Sequence, residues 1–116
     1  MPASTEAIKS IERVDSGTIV KLTGDIDMHR SRGVHQSLLD LCREQPAKLV
    51  LDLREVDYMD SSGVGTLVDI YRKVNAYKGM LALVGPNPRV RNLFQITKLD
   101  HFFRIFATSE EAWGAE

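Results

Sequence analysis

Residues 49–84 read LVLDLREVDYMDSSGVGTLVDIYRKVNAYKGMLALV. The stretch opens on a dense apolar run, Leu49-Val50-Leu51 with Leu53, broken only by Asp52. A run this short and apolar predicts a strand buried on both faces, as in a parallel sheet. Val64, Leu67, Val68, Tyr71 and Val74 then recur at helical spacing and predict one buried helix face. Lys78-Gly79 closes that helix, with glycine expected in the C-terminal position. Met80 to Val84 is a second wholly apolar run and a second buried strand. Strand, helix and strand make a βαβ unit, whose strands are parallel and whose crossover is right-handed.

Working outward, the turn Asp15-Ser16-Gly17 separates an extended run from Ile8 to Val14 from another at Thr18 to Leu22. Two antiparallel strands with a short turn fit this pattern, the first at the edge of the sheet. Thr23-Gly24-Asp25 breaks the second run. From Arg30 to Arg43, Val34, Leu38, Leu41 and Cys42 share one helical face, and Gln45-Pro46 ends the helix. After the turn Gly85-Pro86-Asn87-Pro88, the residues Val90, Leu93 and Phe94 predict a third helix ending near Ile96. Phe102 to Phe106 reads as a last strand, and Thr108-Ser109-Glu110-Glu111-Ala112 as a capped terminal helix. The expected order is β-β-α-β-α-β-α-β-α, an α/β fold forming a single domain over residues 1–116.

Composition narrows the function. Of 116 residues, 43% are hydrophobic and 27% charged, so neither disorder nor a fibrous repeat is indicated. Lys plus Arg is 15 and Asp plus Glu is 16, a formal net charge of -1. This balance lacks the basic excess of a nucleic-acid module or a polybasic membrane anchor. The one cysteine, Cys42, has no intramolecular partner, so no disulfide framework or four-cysteine zinc site forms. A reducing, cytoplasmic setting is expected. Met1 to Ser10 has no apolar core of a signal peptide, and no segment has the length of a membrane span. No membrane insertion and no nucleic acid partner are expected.

The motifs of common enzymes fail. Gly63-Val64-Gly65-Thr66 lacks the lysine of a P-loop, and Val68 stands where a dinucleotide fingerprint needs a third glycine. Ser61 has Met59 two residues upstream and Ser62 has Asp60, so neither sits in a hydrolase elbow. His29 and His35 are six apart, poor spacing for a shared metal, and read as surface or helix-end residues. Asp25, Asp27 and His29 offer at most a weak ion site without a supporting pattern. No metal and no cofactor are expected. Arg89 and Arg91 flank Val90 and read as a solvated face, with an anion site as the sharper alternative. Phe102, Phe103 and Phe106 read as core packing, and Trp113 as packing the last helix down.

One cluster remains: Tyr58-Met59-Asp60-Ser61-Ser62-Gly63-Val64-Gly65, which follows a strand and opens a helix. In an open α/β sheet, sites lie at the carboxyl ends of strands. The simpler reading is a plain N-cap, since Asp and Ser satisfy the free N–H groups of a helix start. The alternative is a switch. Phosphorylation of a serine at this helix end would add about -1.5 to -2 charges. The helix dipole tolerates that charge locally, so binding could change while the fold survives.

At these residues the sequence resembles a known family. Tyr58 to Gly65 is similar to the phosphorylation loop of the bacterial anti-sigma factor antagonists, which have the STAS-domain fold. Leu22-Thr23-Gly24-Asp25-Ile26-Asp27 resembles that family's second motif, and Val90-Arg91-Asn92-Leu93-Phe94 through Phe106 and Glu111-Ala112 follow its pattern. The resemblance spans essentially the whole chain. It implies a single STAS-like domain, a mixed, mostly parallel sheet with helices packed mainly on one face. It also implies partner switching. The unmodified antagonist would bind an anti-sigma factor that is also a serine kinase, freeing a sigma factor. That kinase would use ATP to phosphorylate Ser61, which would release it, and a PP2C-type phosphatase would restore the first state. By the same resemblance Asp27 would lie beside Ser61 and help the kinase engage it. Asp25, Asp27, Asp60, Ser62 and Gly63 would form the partner-binding surface.

Two residues depart from the family pattern. Val64 replaces the usual leucine after the first loop glycine. Thr97-Lys98-Leu99 stands where the third helix usually ends in Thr-Gly-Leu. If that glycine supplies a positive φ, Lys98 must bear it at about 1 kcal/mol, or the turn must differ. The fold and loop do not name the partner, so a STAS interaction module of a non-sigma pathway, in a signalling scaffold or lipid-transport complex, is the alternative function. An enzyme would need a base near Ser61 and no motif supplies one, so the expectation is a binding protein.

Overall fold

The computed structural model describes residues 7–115. Residues 1–6 and 116 lie outside the described residues, and with residues 1–6 goes most of the Met1 to Ser10 stretch read above as lacking a signal-peptide core.

Five strands form one sheet in the order β1-β2-β3-β4-β5. Their ranges are β1 (Ile8–Val14), β2 (Gly17–Ile26), β3 (Lys48–Met59), β4 (Met80–Val84) and β5 (Arg104–Phe106). The helices are α1 (Ser31–Cys42), α2 (Ser61–Ala76), α3 (Pro88–Ile96) and α4 (Ser109–Gly114). The first strand is an antiparallel edge and all later pairs are parallel. The element order, the edge strand and the mainly parallel sheet agree with the sequence reading.

Both faces of the sheet centre are covered. Leu49, Leu51 and Leu53 share a core with α1, α2 and α3, while Val50, Ala82 and Val84 pack beneath Ala112 and Trp113 of α4. Three helices therefore lie on one face and one short helix on the other. Phe94 is fully buried and meets Phe103 edge-on at 5.4 Å between ring centres. Trp113 does hold the last helix down. Lys48 approaches its ring to 5.9 Å and donates to the carbonyls of Ala112, Trp113 and Ala115, satisfying the open end of α4.

Several boundaries differ from expectation. Thr23-Gly24-Asp25 does not end β2; the strand continues to Ile26 with irregular register against β3. The register first slips just past Asp52, whose buried carboxylate accepts from the Arg54 backbone N–H at 3.0 Å and from its guanidinium at 2.7 Å. Burial opposes ionisation of Asp52, yet these bonds outweigh it and hold the carboxyl below its ordinary value. The last strand is only Arg104–Phe106, because Leu99–His101 forms a 3-10 turn and Phe102 is left exposed while Phe103 enters the core. Phe102 is thus a correction to the expected core. At the end of α2 the positive φ falls on Lys78, at 67°, and not on Gly79. Gly79 is needed for another reason: a Cβ there would lie 2.5 Å from the Tyr77 ring. Gly79 and Lys78 donate to the carbonyls of Val74 and Asn75, the paired bonds of a Schellman cap. Lys98 bears the left-handed conformation at φ 61°, as the departure from Thr-Gly-Leu implied.

Candidate functional site

The extended β2–β3 pairing decides the geometry of the site. Asp25 stands opposite Tyr58 and Ile26 opposite Met59, so the two loops leave the sheet side by side. The Asp60 N–H donates across to the Ile26 carbonyl at 3.3 Å. Gly63 allows this approach. A Cβ at Gly63 would stand 2.6 Å from Met59 Cγ and 2.8 Å from the Ile26 carbonyl oxygen. The motif after β2 and the loop after β3 therefore form one surface at the carboxyl ends of adjacent parallel strands, as expected for this class of sheet.

Asp60 is the N-cap of α2 in extended backbone, at φ -106° and ψ -172°. Its Oδ1 accepts from the backbone N–H of Ser62 at 2.9 Å and of Gly63 at 3.3 Å. The same oxygen accepts from the Ser62 hydroxyl at 2.5 Å. The Ser62 hydroxyl, then the N–H groups of Gly63, Ser62 and Met28, hold the Asp60 carboxyl below the usual carboxylate range. The plain N-cap reading of the cluster is thus correct for Asp60, and Ser62 belongs to that cap.

Ser61 is placed differently. It occupies the first position of α2, is exposed, and its hydroxyl makes no hydrogen bond among the described residues. Asp27 lies in the neighbouring loop, half-buried, and turns one oxygen to its own segment. Its Oδ1 accepts from the N–H of His29 at 3.0 Å and of Arg30 at 3.2 Å, setting up the start of α1. Asp25 is exposed at the end of β2. The structure so gathers Asp25, Asp27, Asp60, Ser61, Ser62 and Gly63 at one end of the sheet.

The surroundings contain residues that the sequence reading did not assign to the site. A groove of about 380 Å³ runs beside Ser61, bounded by Tyr58 on one side and by Arg89, Asn92, Leu93 and Ile96 on the other. The four α3 residues follow i, i+3, i+4, i+7 spacing, so one helix face lines it. That stripe is legible in the sequence, but Leu93 also falls on the buried face of Val90 and Phe94. Tyr58 is 46% exposed and Ile96 70% exposed. Met28, beside the Asp60 cap, is 70% exposed. Large apolar side chains in water around a polar centre are the composition of a protein-binding surface.

Other candidates fall away from this end. His35 is tied to Asp69 across α1 and α2 at 2.6 Å, and His35 holds the Asp69 carboxyl below its usual range. Cys42 is buried and its thiol is pushed up by burial. Among the described residues no group of three or more His, Cys, Asp or Glu side chains is placed to hold a metal ion. Among them, too, no helix is long and apolar enough to cross a membrane.

The sequence profile of the STAS domain matches residues 7–112. The chain belongs to the STAS family. It is 36% identical over 91 residues to the anti-sigma-B factor antagonist of Bacillus subtilis, covering 78% of this chain and 83% of that one. The STAS fold is matched at a TM-score of 0.83 by the crystal structure of an anti-sigma factor antagonist from Mycobacterium paratuberculosis, at 28% identity and over 93% and 92% of the two chains. The anti-sigma factor antagonist SpoIIAA matches in its unphosphorylated form at a TM-score of 0.79, with 28% identity over 91% of this chain and 92% of that one. Bacillus SpoIIAA in the phosphorylated form matches at 0.72, with 27% identity over 91% and 96%. The loop surface around Ser61 lies within the matched region.

Proposed function

We propose that this STAS domain, spanning residues 1–116, is an anti-sigma factor antagonist whose binding is switched off by phosphorylation of Ser61. The observation that carries the reading is the contrast between the two serines. Ser61 presents a free, exposed hydroxyl on a rigid helix start, while Ser62 is committed to the Asp60 cap. The relatives named as anti-sigma factor antagonists, and the existence of one of them in phosphorylated and unphosphorylated forms, support it.

In the unmodified state the surface of Asp25, Asp27, Asp60, Ser62 and Gly63 binds an anti-sigma factor serine kinase, and the kinase gives up its sigma factor. The kinase then transfers the γ-phosphoryl group of ATP. The Ser61 Oγ–phosphorus bond forms, the bond to the bridging oxygen of ADP breaks, and the hydroxyl proton is released. Phosphate adds about -1.5 to -2 charges at the centre of the docking surface, beside Asp60. Like charge and bulk then expel the partner, while the α2 dipole and free N–H groups accept the charge without unfolding. A PP2C-type phosphatase hydrolyses the ester and restores binding. The domain itself performs no catalysis and needs no cofactor, and a cytoplasmic setting supplies ATP.

The test is incubation with the anti-sigma kinase it binds, and ATP, followed by peptide mass spectrometry. One phosphate on Ser61, absent from Ser61→Ala, is expected. Binding without phosphate on Ser61 contradicts the switch.

A further inference from the structure

We propose that Arg89 receives the phosphate placed on Ser61 and closes the groove between α2 and α3 in the modified form. The inference rests on the reading of Ser61 as the phosphorylated residue and adds the group that answers to it. Arg89 and Ser61 border the same groove, and among the described residues Arg89 is its one cationic lining residue. The Arg89 guanidinium is exposed and, among the described residues, makes no hydrogen bond or ion pair. Three other arginines are committed, Arg13 to Glu44 at 2.8 Å, Arg54 to Asp52 at 2.7 Å and Arg43 to Asp40 at 3.6 Å, and Arg91, though exposed like Arg89, does not line the groove. Asp60 lines the same groove, and its Oδ1 is already engaged by the Ser62 hydroxyl and two N–H groups.

An unpaired guanidinium and an unpaired hydroxyl on one groove make an incomplete pair until a phosphate is added. Arginine matches phosphate geometry with two parallel N–H donors, which orients as well as attracts. Once drawn toward Ser61, the arginine stem would cover the apolar side chains of Tyr58, Leu93 and Ile96, which unmodified protein leaves open. Phosphorylation then removes a docking surface in two ways, by charge at Ser61 and by covering the groove. Arg91 lies about 200° round α3 from Arg89 and does not border the groove.

The experiment installs phosphoserine at position 61 during translation, so that it depends on no kinase. The phosphate is titrated by ³¹P NMR in otherwise unaltered protein and in the variants Arg89→Gln and Arg91→Gln. The second ionisation of the phosphate is expected to rise by roughly 0.3–0.7 unit in Arg89→Gln, the range of an exposed ion pair, and to stay unchanged in Arg91→Gln. Equal midpoints with and without Arg89 would overturn the proposal, as would an equal rise in Arg91→Gln. Failure of Ser61 to be phosphorylated by the kinase refutes the switch instead, and leaves the ³¹P result standing.

Discussion

Ser61 and Ser62 are chemically the same residue one position apart, and the backbone gives them opposite work. Ser62 turns back onto Asp60, whose single oxygen then accepts three hydrogen bonds. Ser62→Ala removes the shortest of these and is expected to cost about 1 kcal/mol in urea unfolding, with phosphorylation at Ser61 retained. Sign and window follow from the depressed Asp60 carboxyl. Its contribution to stability is fully present above the unfolded value of about 3.9 and is lost as pH falls through the lower folded value. In Ser62→Ala that acid-dependent loss should be smaller, because the largest cause of the depression is gone. Unfolding midpoints measured between neutral pH and pH 3 check both statements; parallel curves for the two proteins would refute the assignment. Asp60 as a cap was readable from sequence, since Asp before Ser-Ser at a helix start has few other uses. The division between the serines was not, because only the direction of each side chain separates them.

At the scale of elements, the site exists because two strand ends meet and a helix start fits against them. Gly63 is the contact point, with no space for a Cβ beside Met59 and the Ile26 carbonyl. Gly63→Ala should destabilise the domain by about 1–3 kcal/mol, the range for overpacking, and weaken partner binding beyond what that loss of stability explains. Thermal unfolding and a binding titration on the folded fraction test it together. Just past the third helix, Lys98 is held at φ 61°. Lys98→Gly relieves that strain and should stabilise by up to about 1 kcal/mol in the same assay, without changing partner affinity. A destabilised Lys98→Gly would mean that the lysine side chain makes a compensating contact. Helix and strand periods made these elements readable one by one. Their ends were not: β2 and β3 run on through Thr23, Gly24, Asp25, Arg54 and Glu55, which belong to one-sided or irregular pairing and carry no apolar run. The His35–Asp69 tie was hidden for a related reason, since it joins two helices whose relative rotation no single helix encodes.

At the scale of the molecule, the order of elements constrained the fold strongly. Buried apolar strands alternating with helices leave few right-handed arrangements, and the hairpin at the start leaves β1 at an edge. The near-neutral composition first excluded functions and then acquired a positive meaning. A formal charge of -1 is more than doubled by one phosphate. The groove beside Ser61 was beyond sequence reading because it joins the end of β3 and the start of α2 to a face of α3 about thirty residues further on. The central question is whether charge at Ser61 controls association. The direct measurement is isothermal titration of the anti-sigma factor kinase with unmodified protein and with protein carrying phosphoserine at position 61. Submicromolar binding of the unmodified form and at least a roughly tenfold loss on phosphorylation, corresponding to about 1.4 kcal/mol, are predicted. Equal affinities for the two forms would contradict the switch.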